Sequence, residues 1–345
     1  MSRIVVGLSG GVDSAAAAWL LKKEGHEVIG CRMRTFDTEE SIIEEESAKA
    51  VAQHLQIPLI IKDYRKEFKE RVIDYFAGEY KAGRTPNPCL VCNRKVKWES
   101  LLSCMRDVGA EHAATGHYAA VEYNGRWCVR RVANAKDQSY ALFDLTQEEL
   151  SHTVFPLSGY TKEEIRLMAA EAGLQNAEKP DSMEICFIPD NDYAGFLREN
   201  FSISDCPGNY VDVNGNILGR HEGIVHYTVG QRKGLGIALG KRVFVKEIRP
   251  FTNEVVLADD EDVFTDSLRL RDVNFQLASE DAEEIRARLI KVRYADRGMP
   301  GTMYRDEKNG DYIVRFEKSV RAAAPGQAAV LYDEGERILC GGFIE

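Results

Sequence analysis

The chain has 345 residues, 44% of them apolar and 29% charged, with a formal net charge of −10. That length exceeds what one hydrophobic core usually serves and predicts two or three domains, while the ordinary composition excludes a fibrous, low-complexity or disordered chain. No apolar run approaches the length of a membrane-spanning helix, and the acidic balance excludes binding of nucleic acid by bulk charge alone.

The opening residues, Met1-Ser2-Arg3-Ile4-Val5-Val6-Gly7-Leu8, are broken too early by Gly and Ser to serve as a signal peptide, so the expected compartment is the cytoplasm. Ile4–Leu8 reads as a buried parallel strand. A Gly-rich loop follows, and then Ala15–Lys23, a strong helix former with Gly25 placed to end it. Val28–Met33 predicts a second strand, Ser41–Leu55 a helix, Pro58–Ile61 a third strand and Tyr64–Tyr80 a long amphipathic helix. His112–Thr115 predicts a further strand, ending at Gly116-His117. This alternation predicts an α/β fold with a doubly wound parallel sheet, and the loop after the first strand lies where such sheets bind ligands. Thr161–Gly173 carries a capping box, Thr161 with Glu164, and a closing glycine.

Beyond about residue 205 the texture changes to turn signals between short β-type runs. Pro207-Gly208-Asn209, Asn214-Gly215-Asn216 and Asn309-Gly310 are turn candidates, and Arg242–Ile248, Glu254–Leu257, Tyr312–Phe316 and Ala328–Tyr332 are strands. The expected division is a catalytic nucleotide domain over 1–204, a small central β domain over 205–262 and a barrel-like β domain over 263–345.

The segment Ser9-Gly10-Gly11-Val12-Asp13-Ser14 joins a strand to a helix N-terminus, where backbone N–H groups and the helix dipole favour an anion. Gly10 and Gly11 permit close approach of phosphates, and Ser9 and Ser14 add hydroxyls. The loop has neither the Gly-Lys-Ser/Thr of a Walker A sequence nor the G-x-G-x-x-G of dinucleotide folds. Asp13 is an unusual neighbour for phosphates unless it shares Mg²⁺ with them.

There are eight cysteines. Cys89 and Cys92 form a C-x-x-C in Thr85-Pro86-Asn87-Pro88-Cys89-Leu90-Val91-Cys92, where two prolines predict an extended loop. The basic Arg94, Lys95 and Lys97 follow, and nearby cations lower a thiol's pKa and favour the nucleophilic thiolate. Cys186, in Asp181-Ser182-Met183-Glu184-Ile185-Cys186, is the second reactive candidate, whereas Cys31, Cys104, Cys128, Cys206 and Cys340 read as structural. A C-x-x-C is compatible with a redox pair, half a metal site or coincidence. Cys89, Cys92 and Cys186 would suffice as three ligands of a 4Fe–4S cluster with one open iron. Three basic groups could build a nucleic-acid surface despite the net charge: Arg94 to Lys97; Arg232, Lys233, Lys241, Arg242 and Lys246; and Arg286, Arg288, Lys291, Arg293 and Arg297.

The phosphate loop resembles the PP-loop of ATP pyrophosphatases, which cleave ATP between the α and β phosphates. Together with RTPNPCLVCNRKVKW, ATGHYA, NAKDQSYAL, SMEICFIP, YTVGQRKGLGI, KVRYAD and the ending PGQAAVLYDEGERILCGGFIE, it resembles the tRNA-specific 2-thiouridylase (MnmA/TrmU) family along nearly the whole chain. That resemblance implies a sheet of the adenine-nucleotide α-hydrolase type, followed by two small β domains. The implied reaction is ATP-dependent placement of sulfur at the 2-position of the wobble uridine (position 34) of tRNAs for Lys, Glu and Gln. By the same resemblance Gly7, Leu8, Ser9, Gly10, Gly11, Val12, Asp13 and Ser14 would hold ATP, with Met33 and Gly116 against the adenosine. Cys92 would be the nucleophile and Cys186 the persulfide carrier. Asn87, Pro88, Cys89, His117, Lys136, Asp137, Gln138, Arg293, Tyr294 and Gln327 fall at tRNA-contacting positions. The implied partners are tRNA and a sulfur donor, a cysteine desulfurase or a persulfide carrier, with no membrane. Familiar members have Asp where this chain has Cys89, so a persulfide relay and a cluster mechanism both stay open. A PP-loop C–N ligase and a nucleotide-sensing protein are the other readings of the loop alone, and neither needs Cys92 or Cys186.

Overall fold

The computed structural model describes residues 1–174, 185–201, 203, 205–306 and 310–345. Asn309 of the expected Asn309-Gly310 turn, and Asp181, Ser182, Met183 and Glu184 ahead of Cys186, lie outside the described residues.

The first strand, β1 (Arg3–Gly7), is covered on both faces, with Ile4, Val5 and Val6 at most 2% exposed. It leads into α1 (Val12–Lys23), then β2 (Glu27–Arg34), α2 (Glu39–His54) and β3 (Leu59–Asp63). The expected long helix runs over 65–81 as α3 (Arg65–Phe68), a π-helical turn at Lys69–Ile73, and α4 (Asp74–Lys81). Next come α5 (Pro88–Cys92), a second π-helical turn at Asn93–Trp98, and α6 (Glu99–Asp107). Strand β4 (His112–Ala114), the hairpin β5 (Ala120–Tyr123) with β6 (Trp127–Arg130), α7 (Gln147–Ser151), β7 (Thr153–Val154) and α8 (Lys162–Glu171) complete this part. The sheet order is β3-β2-β1-β4-β7, with every neighbour parallel. Its direction of winding reverses between β1 and β4, and the cleft at that switch point holds the candidate site.

One local expectation is corrected. The C-x-x-C does not lie on an extended loop but on α5. Pro88 takes the first helical position, where a missing N–H costs no hydrogen bond, and the Asn87 side chain caps the helix by accepting from the Cys89 N–H at 3.1 Å. The helical run is anchored by Trp98, which is fully buried and donates its indole N–H to Thr153 Oγ1 at 2.7 Å.

Helix α9 (Tyr193–Phe201) leads to a four-stranded sheet of β8 (Gly208–Val211), β9 (Ile217–His221), β10 (Phe244–Arg249) and β11 (Glu254–Ala258), in the order β10-β11-β8-β9. The last six strands close a barrel: β12 (Phe264–Phe275), β13 (Glu284–Lys291), β14 (Met299–Arg305), β15 (Tyr312–Arg321), β16 (Ala328–Tyr332) and β17 (Ile338–Ile344). Closure leaves no edge strand, which is how a small β domain avoids pairing with other chains. Among the described residues no helix is long and apolar enough to cross a membrane.

The barrel and the nucleotide domain share a core. Tyr140, Leu142 and Phe143 pack with Val330, Tyr332 and Phe343 in a single buried cluster. The fully buried Gln276 crosses this junction: its Oε1 accepts from the Val129 N–H at 2.8 Å and its amide donates to the Leu142 and Phe143 carbonyls at 3.0 Å each. Replacing it with an apolar side chain strands one buried N–H and deprives two carbonyls of this donor. Gln276→Leu is therefore expected to lower the unfolding free energy by about 2–4 kcal/mol in urea titration. A loss under about 0.5 kcal/mol would show that these bonds do not hold the barrel in place.

Candidate functional site

The phosphate loop is built from its own hydroxyls. Ser14 Oγ accepts from the Ser9 N–H at 3.2 Å and donates to the Gly11 carbonyl at 3.0 Å, while Ser9 Oγ accepts from the Gly11 N–H at 3.3 Å. Gly11 is the N-cap of α1 and supplies no side chain to its first amides, so those donors are left for an anion. Gly10 has φ +83°, and a Cβ there would come 2.6 Å from the Glu44 carbonyl oxygen. From outside, Arg32 Nη1 donates to the Ser9 carbonyl at 3.0 Å and Ser47 Oγ to the Gly10 carbonyl at 3.0 Å. Arg32 is held by Glu44 at 3.1 Å and Arg34 by Glu45 at 2.8 Å, so β2 neutralises two of the five glutamates in the acidic run at 39–46.

Asp13 faces inward. Lys162 donates to its two carboxylate oxygens at 2.8 and 2.7 Å, and the Tyr118 hydroxyl donates to Oδ1 at 2.7 Å. The Lys162 side chain is only 6% exposed, so the pair is a largely buried tie between α1 and α8. With these donors on both oxygens, Asp13 is poorly suited to share Mg²⁺ with phosphates, the use its position suggested.

The loop after β4 closes the cleft from the other side. A Cβ on Gly116 would lie 2.7 Å from the Asp13 carbonyl carbon and the Ser14 nitrogen, so this close approach of two backbones requires glycine. The resulting cleft, about 240 Å³, is lined by Gly7, Leu8, Ser9, Asp13, Ser14 and Met33, with Gly116, His117 and Gln138 opposite. Gly10, Gly11 and Val12 complete the same loop, with Val12 buried beneath it. Lys97 and Ser100 also line the cleft. His117 accepts from or donates to Thr115 Oγ1 through Nδ1 at 2.8 Å, and burial first, then the Lys97 charge, depress its pKa to about 3. It is neutral at physiological pH and can contact a nucleotide only as a neutral hydrogen-bonding group.

Two lining residues connect the cleft to the thiols: Met33 packs on the cluster that holds Cys92, and Lys97 acts on the sulfurs of Cys92 and Cys186. Cys92 packs with Phe68, Val72 and Val96, and Phe187, next to Cys186, packs on the same cluster. The Phe187 ring meets Phe68 at 5.7 Å and Phe76 at 5.5 Å, which pins the segment carrying Cys186. Cys89 and Cys186 are exposed and Cys92 is buried. Activation of Cys92 by the basic run is not what the structure shows. Burial pushes its thiol up to about 11, against an opposing pull from Lys97. Arg94 is turned away, bonded to Asp144 at 2.9 Å, and so contributes neither to that thiol nor to an open basic surface. The Cys186 thiol is pushed up to about 12, by the crowding of protein around its sulfur first, then by the negative charge of Cys92 and Cys89. The three thiols thus feel one another. Yet among the described residues no group of three His, Cys, Asp or Glu side chains is arranged to hold a metal, so Cys89, Cys92 and Cys186 do not fit a cluster as they stand.

The residues expected against tRNA fall into two places. Asn87, Pro88 and Cys89 form the start of α5, and Gln327 reaches them from the barrel by donating to the Thr85 carbonyl at 2.8 Å. Gln138 pairs with Tyr118 through backbone and side chain at 2.8 and 3.0 Å, and lines the cleft. Asp137 organises its own loop, accepting from Ser139 Oγ at 2.9 Å and the Val132 N–H at 3.2 Å, while the Lys136 N–H is held by Asn134. Tyr294 joins that loop from the barrel, its hydroxyl donating to the Asp137 carbonyl at 3.0 Å, with the exposed Arg293 beside it. Sequence reading missed Lys162, Tyr118 and Arg32. The one available signal was Lys162 itself, a cation in the first turn of a capped helix where the dipole disfavours it.

Residues 2–190 match the family model described as tRNA methyl transferase HUP domain, 195–259 the tRNA methyl transferase PRC-barrel domain, and 265–344 the aminomethyltransferase beta-barrel domain. The tRNA-specific 2-thiouridylase MnmA of Lachnoclostridium phytofermentans is 49% identical over 358 residues, covering 100% of this chain and 99% of that protein. The protein of the same name from Clostridioides difficile is 42% identical and covers 99% and 98%. Among solved structures, the U34-tRNA thiolase NcsA from Methanococcus maripaludis with its 4Fe–4S cluster matches 58% of this chain and 66% of its own, at 16% identity and a TM-score of 0.37, a likeness too slight to bear on chemistry.

The Asp13–Lys162 tie has a direct consequence. Lys162→Met leaves a carboxylate without its counter-charge, so stability is expected to fall by about 2–4 kcal/mol, less than for a fully buried pair because Asp13 retains some solvent. A double-mutant cycle with Asp13→Asn should return a coupling of about 1 kcal/mol or more. Additive effects in that cycle would show that the pair does not hold α1 to α8.

Proposed function

The chain belongs to the tRNA-specific 2-thiouridylase family, and on that premise we propose that it is a tRNA-uridine 2-sulfurtransferase that activates the wobble uridine with ATP and delivers cysteine-borne sulfur to it. The observation that carries this reading is that Lys97, which lines the cleft beside the phosphate loop, acts on the sulfurs of both Cys92 and Cys186, while Phe187 packs on the cluster that holds Cys92. A C–N ligase or a nucleotide sensor with the same loop has no use for two thiols there.

The target base must leave the anticodon stack to reach such a cleft. Its 2-oxygen attacks the α-phosphorus of ATP and pyrophosphate leaves, so that the oxygen departs later as part of AMP. The free amides at the start of α1 are aimed at the phosphates and take up negative charge as it shifts toward pyrophosphate. Mg²⁺ accompanies ATP phosphates as a counter-ion that would share that charge; Asp13 is not suited to ligate it, and no step depends on it here.

Sulfur arrives by exchange: the Cys186 thiolate attacks the outer sulfur of a donor persulfide, giving a Cys186 persulfide and the donor thiol. The terminal sulfur then attacks C2 and AMP leaves. Attack by Cys92 on the Cys186 sulfur frees the thiocarbonyl and forms a Cys92–Cys186 disulfide, which a dithiol must reduce by two electrons before the next turnover. Both thiols resist ionisation, and Lys97, which opposes that resistance at each, is the residue that would favour the thiolates. Because no three donors among the described residues are arranged for a metal, Cys89 is read as a thiol at the proposed tRNA-facing end of α5. Asn87, Pro88, His117, the 136–138 loop, Arg293, Tyr294 and Gln327 are the proposed tRNA contacts. The expected substrates are tRNAs for Lys, Glu and Gln, the expected donor a cysteine desulfurase or persulfide carrier, and the setting the cytoplasm.

Two substitutions separate sulfur delivery from activation. Cys92→Ser and Cys186→Ser should each reduce 2-thiouridine formation by at least about 1000-fold, while tRNA-dependent release of pyrophosphate from ATP persists. Nucleoside mass spectrometry alongside a pyrophosphate assay reads both. Wild-type thiolation by Cys92→Ser would remove Cys92 from the mechanism.

A further inference from the structure

A second cavity, which shares no lining residue with the first, lies where the middle sheet meets the barrel. It measures about 450 Å³ and is lined by Gly230, Arg232, Arg242, Phe244, Asp260 and Arg321. Three guanidinium groups therefore face one carboxylate. Arg321 is already placed: its guanidinium stacks 4.7 Å from the Phe244 ring centroid and bonds Asp260 Oδ1 at 3.0 and 3.3 Å. Arg232 and Arg242 are exposed, and neither forms an ion pair or hydrogen bond among the described residues. Their neighbour Lys241 contrasts with them, since it is paired with Asp259 at 2.7 Å.

The two walls are held in register. Gly230 has φ +88°, and a Cβ there would come 2.3 Å from the Ala322 Cβ, so the loop carrying Arg232 sits directly on the barrel residue that follows Arg321. The Gly230 N–H also bonds the Val245 carbonyl at 2.7 Å, which ties the same loop to β10 beside Arg242 and Phe244. The excess of positive charge is thus fixed in geometry, in a chain whose net charge is −10.

We propose that this cavity is a phosphate-binding site that grips the backbone of the tRNA outside the cleft that takes the target uridine. The proposal rests on the functional reading above. Arginine in pairs suits this ligand, because its planar fork matches phosphate oxygens and keeps its charge at all working pH. The lining is charged rather than apolar, and the face of its one aromatic ring is taken up by Arg321, which disfavours a small apolar ligand. Free phosphate or pyrophosphate shares the recognised chemistry and is the alternative source.

The test uses the full chain and a tRNA transcript, with affinity measured by filter binding across a salt series. Arg232→Ala/Arg242→Ala should weaken binding about 10- to 100-fold near 0.1 M salt and flatten the slope of log K against log salt by about 1–2. Arg249→Ala, which removes a half-buried arginine of β10 already paired with Glu247 at 3.0 Å, should change neither. Arg232→Lys/Arg242→Lys should recover most of the slope. Unchanged affinity and slope in the alanine pair would overturn the site while leaving the functional reading intact, whereas a wild-type protein that binds no tRNA would overturn both. Calorimetry with inorganic pyrophosphate supplies the second arm. Saturable binding that the alanine pair abolishes, with tRNA affinity and slope untouched, would overturn the RNA assignment in favour of a free anion.

Discussion

The backbone at residue 85 is held by two other parts of the chain at once, and the chemistry depends on it. The Thr85 N–H donates to the Pro325 carbonyl at 2.8 Å, its carbonyl accepts from Gln327 at 2.8 Å, and its hydroxyl meets Thr228 at 3.2 Å. Gly326, at φ +90°, approaches so closely that a Cβ would lie 3.0 Å from the Thr85 carbonyl carbon. Barrel and middle sheet therefore jointly set where Pro88 starts a helix, and that helix sets where Cys89 and Cys92 point. The β domains thus position the stretch of chain that carries Cys92, the proposed nucleophile.

A second constraint works within the sheet. Gly116 lets the loop after β4 touch the phosphate loop, while Lys162 and Tyr118 occupy the carboxylate of Asp13 where it lines the cleft. The same residues that leave α1's first amides open to an anion also fix the helix that bears them. Burial of His117 keeps its ring neutral, so the positive charge at the cleft comes from Lys97 and the helix terminus rather than from the imidazole. The proposed reaction, which first gathers triphosphate and later generates thiolates, is served by such fixed charges.

Much of this was legible in the residues. The alternation of apolar runs and helix formers identified β1 to β4, α1, α2 and the helical run of α3 and α4, though not α6, because a parallel sheet buried on both faces writes itself as Val and Ile runs. The capping box at Thr161 was found with its helix. The barrel was recognisable only in pieces: β15 and β16 were seen, whereas β12, β13, β14 and β17 were not, since their alternation is interrupted by bulges such as the shift between Ala287 and Ile290. The α5 helix escaped because two prolines around Asn87 suggest extended chain, and only the cap geometry reveals Pro88 as a first helical residue. The state of Cys92 escaped for a different reason. Cations close in sequence were visible, but that Arg94 turns to Asp144 and that Phe68 and Val72 bury the sulfur are facts of packing. The Asp13–Lys162 tie joins residues 149 apart, and no local pattern encodes it.

These constraints converge on one claim, that the base's own oxygen attacks the α-phosphorus in a cleft whose thiols then displace it with sulfur. Its most direct test is isotopic. A tRNA transcript carrying ¹⁸O at the 2-position of the wobble uridine is thiolated with unlabelled ATP, and the nucleotide products are weighed by mass spectrometry. The account predicts one ¹⁸O atom in AMP for each 2-thiouridine formed. Label found in pyrophosphate, in inorganic phosphate or in water, with AMP unlabelled, would contradict it.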